Sequence, residues 1–233
     1  MITLRPAADR GHADHGWLNS WHSFSFAEYQ DPEHVRFGTL RVLNDDTVAA
    51  KGGFAPHPHR DMEIISYVLS GGLQHKDSMG TGSVIRRGDV QRMSAGTGVV
   101  HSEFNASDKE PVHFLQIWIF PERSGLQPGY EQVSVPDSEK RGRLRVIAAR
   151  NGGDNVVTVH QDVVIAAGLF DGDEQETRAL QTGRQYYLHV ADGAITVNGQ
   201  RLQAGDALKL IEEKQLRLEQ GQAAEVLLFD LAA

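Results

Sequence analysis

Two short motifs constrain this chain more than any other feature: His57-Pro58-His59 and His101-Ser102-Glu103. Each places two metal-ligand side chains at i and i+2. On a β-strand those positions share one face, roughly 6–7 Å apart along the strand. Two such pairs on neighbouring strands converge four ligands on one point, so the pattern calls for strands paired around an enclosed centre. Three imidazoles and one carboxylate hold a first-row divalent metal without filling its coordination shell. The open positions can take a substrate oxygen or O2. A lone His-x-His is often surface decoration; here the second pair, behind Gly96-Thr97-Gly98, turns it into a metal-site reading.

The rest of the composition narrows the chemistry. The chain has 233 residues, enough for one large or two modest domains. It contains no cysteine, which excludes disulfides, thiolate metal sites and thiol switches. A formal net charge of -8, with no Lys/Arg stripe, argues against nucleic acid as a partner. No run approaches the roughly 18–20 apolar residues of a membrane helix. The start, Met1 to Pro6, lacks a signal-peptide pattern. The expectation is therefore a cytoplasmic protein with no membrane partner.

Glycines are frequent and long helical periodicity is scarce, so the chain reads as all-β. Strands are expected at Phe37–Val42, Ile64–Leu69, Ser83–Ile85, Phe114–Phe120, Val156–His160, Tyr186–Val190, Ala194–Val197 and Val226–Leu231. Turns are expected at Asn44-Asp45-Asp46, Gly71-Gly72, Gly88-Asp89, Asp192-Gly193 and, as a two-residue hairpin, Asn198-Gly199. Asp171–Glu176 and Glu212–Gln215 read as solvated loops or a short helix. Tyr67–Gly72 followed by Gly88-Asp89 is echoed by Tyr187–Gly193 followed by Gly205-Asp206, which suggests two copies of one barrel. The proline-bearing stretch after Pro121 reads as the crossover. The expected domains are a metal-binding barrel at 1–125, a linker at 126–143 and a barrel without metal at 144–233.

The string Gly52 to Gly71, with His57, His59 and Glu63, resembles the first motif of the cupin superfamily. Gly88 to Asn105, with Gly98, His101 and Asn105, resembles the second, although Gly96 stands where that motif has proline and the flanking glycines are out of register. A more detailed similarity is to the pirin family, a subset of bicupins. It is carried by Gly11–Leu18, His22–Ala27, Thr39–Asp46, Pro56–Met62, Ser94–Glu103 and Gln116–Ile119, and more loosely by Val159–Asp162 and Leu227–Leu231. The resemblance implies two jelly-roll-like cupin barrels in tandem, with one metal in the first. It implies His57, His59, His101 and Glu103 as ligands, and quercetin 2,3-dioxygenase activity as in bacterial members. A mammalian member is associated with transcriptional co-regulation, so the alternative reading is a redox-sensing interaction module acting through a protein partner.

The fourth ligand is a choice between two carboxylates. Cupins commonly use the position of Glu63, and pirins that of Glu103. Glu103 shares a face with His101 at short range, whereas Glu63 lies roughly 13 Å beyond His59 on a straight strand. Glu103 is favoured, and Glu63 then falls to orienting a ligand histidine from behind. Phe24, Phe26, Met93 and Phe114 are the expected apolar lining of the pocket. His12, His15 and His22 are read as structural rather than pocket residues, and His75 and His113 as satisfied barrel residues. His160 and His189 are read as structural groups of the second barrel, and Trp17, Trp21 and Trp118 as packing.

The expected cofactor is one divalent transition metal, Fe(II) by preference, with Cu, Mn, Co, Ni or Zn also suited to these ligands. The expected partners are a small aromatic substrate and O2, with the protein a monomer. Glu103 is the expected general base for a flavonol hydroxyl. Imidazoles bind metal only when neutral, so activity is expected to fall near roughly pH 6.

Overall fold

The computed structural model describes residues 1–233. In chain order the first strands are β1 (Ile2–Arg5), β2 (Gly11–Asp14), β3 (Leu18–His22), β4 (Leu40–Val48), β5 (Gly53–His59) and β6 (Glu63–Ser70). Then come β7 (Gly72–Asp77), β8 (Gly82–Arg86), β9 (Asp89–Ser94), β10 (Val99–Asn105), β11 (Val112–Ile119) and β12 (Gly129–Ser134). A single helical turn, α1 (Asp137–Lys140), precedes β13 (Leu144–Ala149), β14 (Val157–Thr158), β15 (Val163–Phe170) and β16 (Glu176–Ala179). The chain ends with β17 (Arg184–Val197), β18 (Gln200–Gln203), β19 (Ala207–Ile211) and β20 (Gln215–Ala232). No helix is long and apolar enough to cross a membrane.

The first barrel is a seven-stranded sheet, β12-β9-β6-β11-β4-β3-β2, and a four-stranded sheet, β5-β10-β7-β8. Side chains from both sheets meet inside it: Leu18, Val48, Val68 and Phe114 from the larger sheet pack with Leu73 and Ile85 from the smaller. The second barrel is a nine-stranded sheet along β1-β19-β17-β20-β15-β13-β14, with β16 on β20 and β18 on β17. Its interior is an apolar cluster that includes Phe170, Leu188, Ile195 and Leu218.

The largest cluster lies between the barrels. Ile65, Tyr67, Leu115 and Ile117 of the first barrel join Ile165, Tyr187, Leu227 and Phe229 of the second. This explains why β6 and β11 are nearly continuous apolar runs: each is covered on both faces. Alternate residues of β6 point into the first barrel (Ile64, Val68) or against the second (Ile65, Tyr67).

Several expected boundaries move. β1, inside the span expected for the first barrel, pairs antiparallel with β19, so the N-terminal strand completes the second barrel. The expected linker holds β12, which pairs with β9 and extends the first barrel to Ser134. The strand expected at Phe37 starts at Leu40, because Phe37 and Leu40 close a tight turn with Gly38 at φ +54°. The strand expected at Val156–His160 shrinks to Val157–Thr158. Asn44-Asp45-Asp46 lies inside β4 rather than in a turn. Asp192-Gly193 is not a turn either; β17 runs straight through it with register shifts around Asp192 and Ala194, a bulge made by Gly193 at φ +67°. The Asn198-Gly199 hairpin is present: Val197 pairs with Gln200, and both turn residues have positive φ.

Candidate metal centre

β5 and β10 lie side by side and antiparallel, with His57 opposite His101 and His59 opposite Val99. The pairing slips between His101 and Glu103, so Glu103 faces Phe54. On β10, His101 and Glu103 are buried and Val100 and Phe104 are exposed on the outer face, with Ser102 between the two ligands buried as well. Ligand atoms of His57, His59 and His101 all lie within 4.8 Å of one another. The ring centroids are 4.5–4.8 Å apart. His57 Nε2 and His101 Nε2 face each other at 3.1 Å. His57 Nδ1–H donates to the Ala55 carbonyl at 2.8 Å, which leaves its Nε2 lone pair pointing at the common centre.

Glu103 joins this group through His101. One carboxylate oxygen of Glu103 and one ring nitrogen each of His75 and His101 lie within 4.8 Å of one another. Glu103 Oε2 accepts from Gln116 Nε2 at 2.8 Å, and Oε1 from Ser66 Oγ at 3.2 Å. Burial pushes its carboxyl up to about 7, against the pull of those two donors. Burial, then the charge of His57, pushes His59 down to about 4. His101 is pushed down to about 2 by burial first and then by His57, His59 and His75. Both rings are thus neutral near pH 6. Neutral imidazoles converging on one point, beside a carboxyl, fit a divalent transition metal.

The centre opens into a cavity of about 770 Å³. His57, His59, Glu103 and Gln116 form one part of its lining, and Phe26, Phe54 and Trp118 supply aromatic surface. The Trp118 ring meets His59 edge-on at 5.0 Å and Phe26 at 5.5 Å. Another part of the wall comes from β2 and β3. There Ser20 Oγ donates to Asp46 and stands 2.8 Å from His22 Nε2. Burial pushes Asp46 up to about 7 and, ahead of the charges of His12, His15 and Arg10, pushes His22 down to about 4.

This pattern matches known proteins. The family model described as pirin matches residues 3–119, and that described as quercetinase C-terminal cupin domain matches residues 146–231. The chain belongs to the pirin family. A relative named quercetin 2,3-dioxygenase, from Escherichia coli strain K12, is 43% identical over 231 residues, covering 99% of both chains. The solved structure of the bacterial pirin YhhW from Escherichia coli in complex with nickel(II) is 42% identical, with a TM-score of 0.94 over 100% of this chain and 99% of that one. A quercetin 2,3-dioxygenase structure from Acinetobacter baumannii, 22% identical with a TM-score of 0.78 over 99% of this chain and 85% of that one, shares the fold.

Several residues of this pirin-family chain take other roles than their sequence context suggests. Of the four residues expected to line the pocket, three phenylalanines and one methionine, only Phe26 lines the cavity. Phe24 packs between the barrels, Phe114 in the first barrel's core and Met93 against Ile64 and Val99. Glu63 orients no ligand histidine. It lies under the second barrel, where Oε2 accepts from Ser94 Oγ at 2.9 Å and from the His160 backbone N–H at 3.1 Å. Conversely, His12, His15, His22 and Trp118 line the cavity rather than serving only as packing. For His22 the sequence carries a signal: Leu18, Ser20 and His22 share one face of β3, and Asn44, Asp46 and Gln116 are polar residues at buried positions of β4 and β11.

Proposed function

We propose that the protein is a metal-dependent dioxygenase that opens the central ring of a flavonol such as quercetin with O2, releasing carbon monoxide and a depside. The single observation that carries this reading is the conjunction of three convergent imidazoles and a buried carboxyl with an aromatic-walled cavity of about 770 Å³. Relatives named quercetin 2,3-dioxygenase support the choice of substrate. His57, His59, His101 and Glu103 would hold the metal, with Fe(II) as the working cofactor and the protein acting as a monomer in the cytosol. When bound, the metal supplies Lewis acidity toward the flavonol oxygen and a route for electrons to O2.

The chain's own residues do the rest. Glu103 takes the proton of the flavonol 3-hydroxyl, and Gln116 and Ser66 hold the carboxylate in place while it does so. Phe26, Phe54 and Trp118 offer apolar faces and edges to flat rings and keep water off them. His57 and His59 lie two residues apart on one strand, which sets both rings on the same face.

The test is aerobic loss of quercetin absorbance after anaerobic loading with Fe(II), Mn, Co, Ni or Cu, beside a His101→Ala control. Metal-dependent bleaching with O2 uptake and CO release, absent in the control, is expected. Stoichiometric metal binding without bleaching for any metal would overturn the enzyme reading and favour the redox-sensing interaction module.

A further inference from the structure

His57 shows what a metal-binding imidazole needs on its far side: an acceptor for its second N–H, here the Ala55 carbonyl. His101 turns Nε2 to the same centre, so its proton sits on Nδ1. That Nδ1 is buried and has no hydrogen-bond partner. Behind His101 lies a further ring, His75, with centroids 5.3 Å apart. His75 Nε2 meets Asp77 Oδ2 at 2.9 Å, and both side chains are wholly shut off from solvent. A carboxylate in that place accepts, so His75 carries its proton on Nε2 and its lone pair on Nδ1. That Nδ1 is also buried and unpartnered. An orphan N–H and an orphan lone pair therefore belong to neighbouring rings. The strand register puts them there: across β10 and β7, His101 is opposite Asp77 and Glu103 is opposite His75.

We propose that Asp77 and His75 form a buried relay behind the metal centre, with His75 Nδ1 as the acceptor for His101 Nδ1–H. The relay fixes His101 in the tautomer that offers Nε2 to the metal. His75 and Asp77 are positioning residues: they touch neither metal nor substrate. The inference rests on the three-histidine reading of the centre and extends it outward. It also assigns work to a histidine buried to 0% exposure whose role as a merely satisfied barrel residue leaves one ring nitrogen unexplained.

Asp77→Asn tests it with little structural disturbance. Asp77 Oδ1 accepts from the Met79 and Thr81 backbone N–H groups at 2.9 and 3.0 Å, and an amide oxygen keeps both bonds. The amide nitrogen then faces His75 Nε2 as a donor, which moves the His75 proton to Nδ1 and sets it against the His101 N–H. Affinity for Ni(II), read by chelator competition on the full chain, is expected to fall roughly tenfold to hundredfold while the melting temperature stays near wild type. A folded Asp77→Asn protein binding within about twofold of wild type would overturn the relay.

Histidine ring 15N spectra of the Zn(II)-loaded wild type give a second reading that needs no variant. His75 is expected as the Nε2–H tautomer and His101 as Nδ1–H; His75 as Nδ1–H overturns the relay. A wild type that binds no Ni(II) overturns both the relay and the metal centre, whereas normal wild-type binding with an unaffected variant overturns the relay alone.

Discussion

Glu103 has no cationic side chain on it: its two oxygens receive an amide and a hydroxyl, and Gln116 and Ser66 bring no charge with them. This is why burial dominates and the proton is held up to about pH 7. Glu103→Gln keeps the volume and removes the base. Turnover of quercetin is expected to drop roughly 10²–10⁴-fold with Ni(II) still bound by the three histidines; full activity in the variant would refute the base assignment. His189 tells a different story about burial. Neither of its ring nitrogens has a partner, and burial, reinforced by Arg10 and opposed by Asp45, pushes it down to about 3. The unfolded ring takes its proton near 6.5, so between those values the unfolded state binds more protons. His189 therefore contributes stability that is full above about pH 6.5 and is lost as pH falls toward 3. Urea unfolding of the wild type should lose roughly 2 kcal/mol more than His189→Leu between about pH 6.5 and pH 5. Equal losses in the two proteins would remove His189 from the account.

At the scale of elements, the turn from β9 to β10 decides where His101 stands. Gly96 has φ +47°, which a proline ring, locked near −65°, cannot adopt. The departure from the cupin pattern at this position thus has a backbone cause. A Cβ on Gly96 would lie 2.1 Å from the Leu126 carbonyl oxygen, which itself accepts from Thr97 N–H at 2.9 Å. Gly96→Ala is expected to cost on the order of 1–3 kcal/mol and to weaken Ni(II) binding, because β10 must shift to relieve the contact. Gly183→Ala, at φ +80° with nothing near its Cβ, is the control for φ alone. Equal losses of stability in the two variants, read by melting temperature, would mean that the clash with Leu126 carries no weight. The same scale shows what a sequence displays and what it hides. His57, His59, His101 and Glu103 were legible because period-two alternation needs only local spacing. The bulge at Gly193 was not, since a glycine after aspartate reads alike in a turn and inside a long strand. Nor was the pairing of β1 with β19, which joins opposite ends of the chain and leaves no local mark. Phe24, Met93 and Phe114 read as lining in the sequence but pack in cores, because nothing local says whether an inward face meets cavity or packed core.

The whole molecule is two barrels that share their largest core, and a charged clasp runs through the shared boundary. Lys140, 1% exposed, reaches Tyr67 Oη at 3.0 Å and Asp137 at 3.0 Å, and lies 3.7 Å from Glu225. Tyr67 Oη–H donates to Glu225 Oε1, and Arg87 Nη1 meets Glu225 Oε2 at 2.9 Å and donates to the Leu69 carbonyl. Tyr67 and Arg87 belong to the first barrel, and Glu225 lies on β20 of the second. Burial, then the Glu225 charge, holds the Tyr67 hydroxyl well above its usual range, so it remains a donor. Breaking one member of such a group leaves an uncompensated buried charge, which costs about 3–5 kcal/mol. After Glu225→Gln, Asp137 still pairs with Lys140 at 3.0 Å and with Arg87 at 3.2 Å, so that variant should cost less, roughly 1–3 kcal/mol, and Lys140→Met should cost less in its background than alone, because the two remove one shared interaction. A double variant at least as unstable as the sum of the two singles would show that the clasp is not one coupled unit. The apolar surface around the clasp predicts the form of the transition as well. Residues from β6 and β11 are packed against β15, β17 and β20 in one cluster, so neither barrel can open without exposing the other. Calorimetry of the wild type and of Glu225→Gln should show one cooperative transition that shifts down as a whole. Two resolved transitions in the wild type would mean that the barrels are stable apart, and that the shared core joins domains that do not need each other to fold.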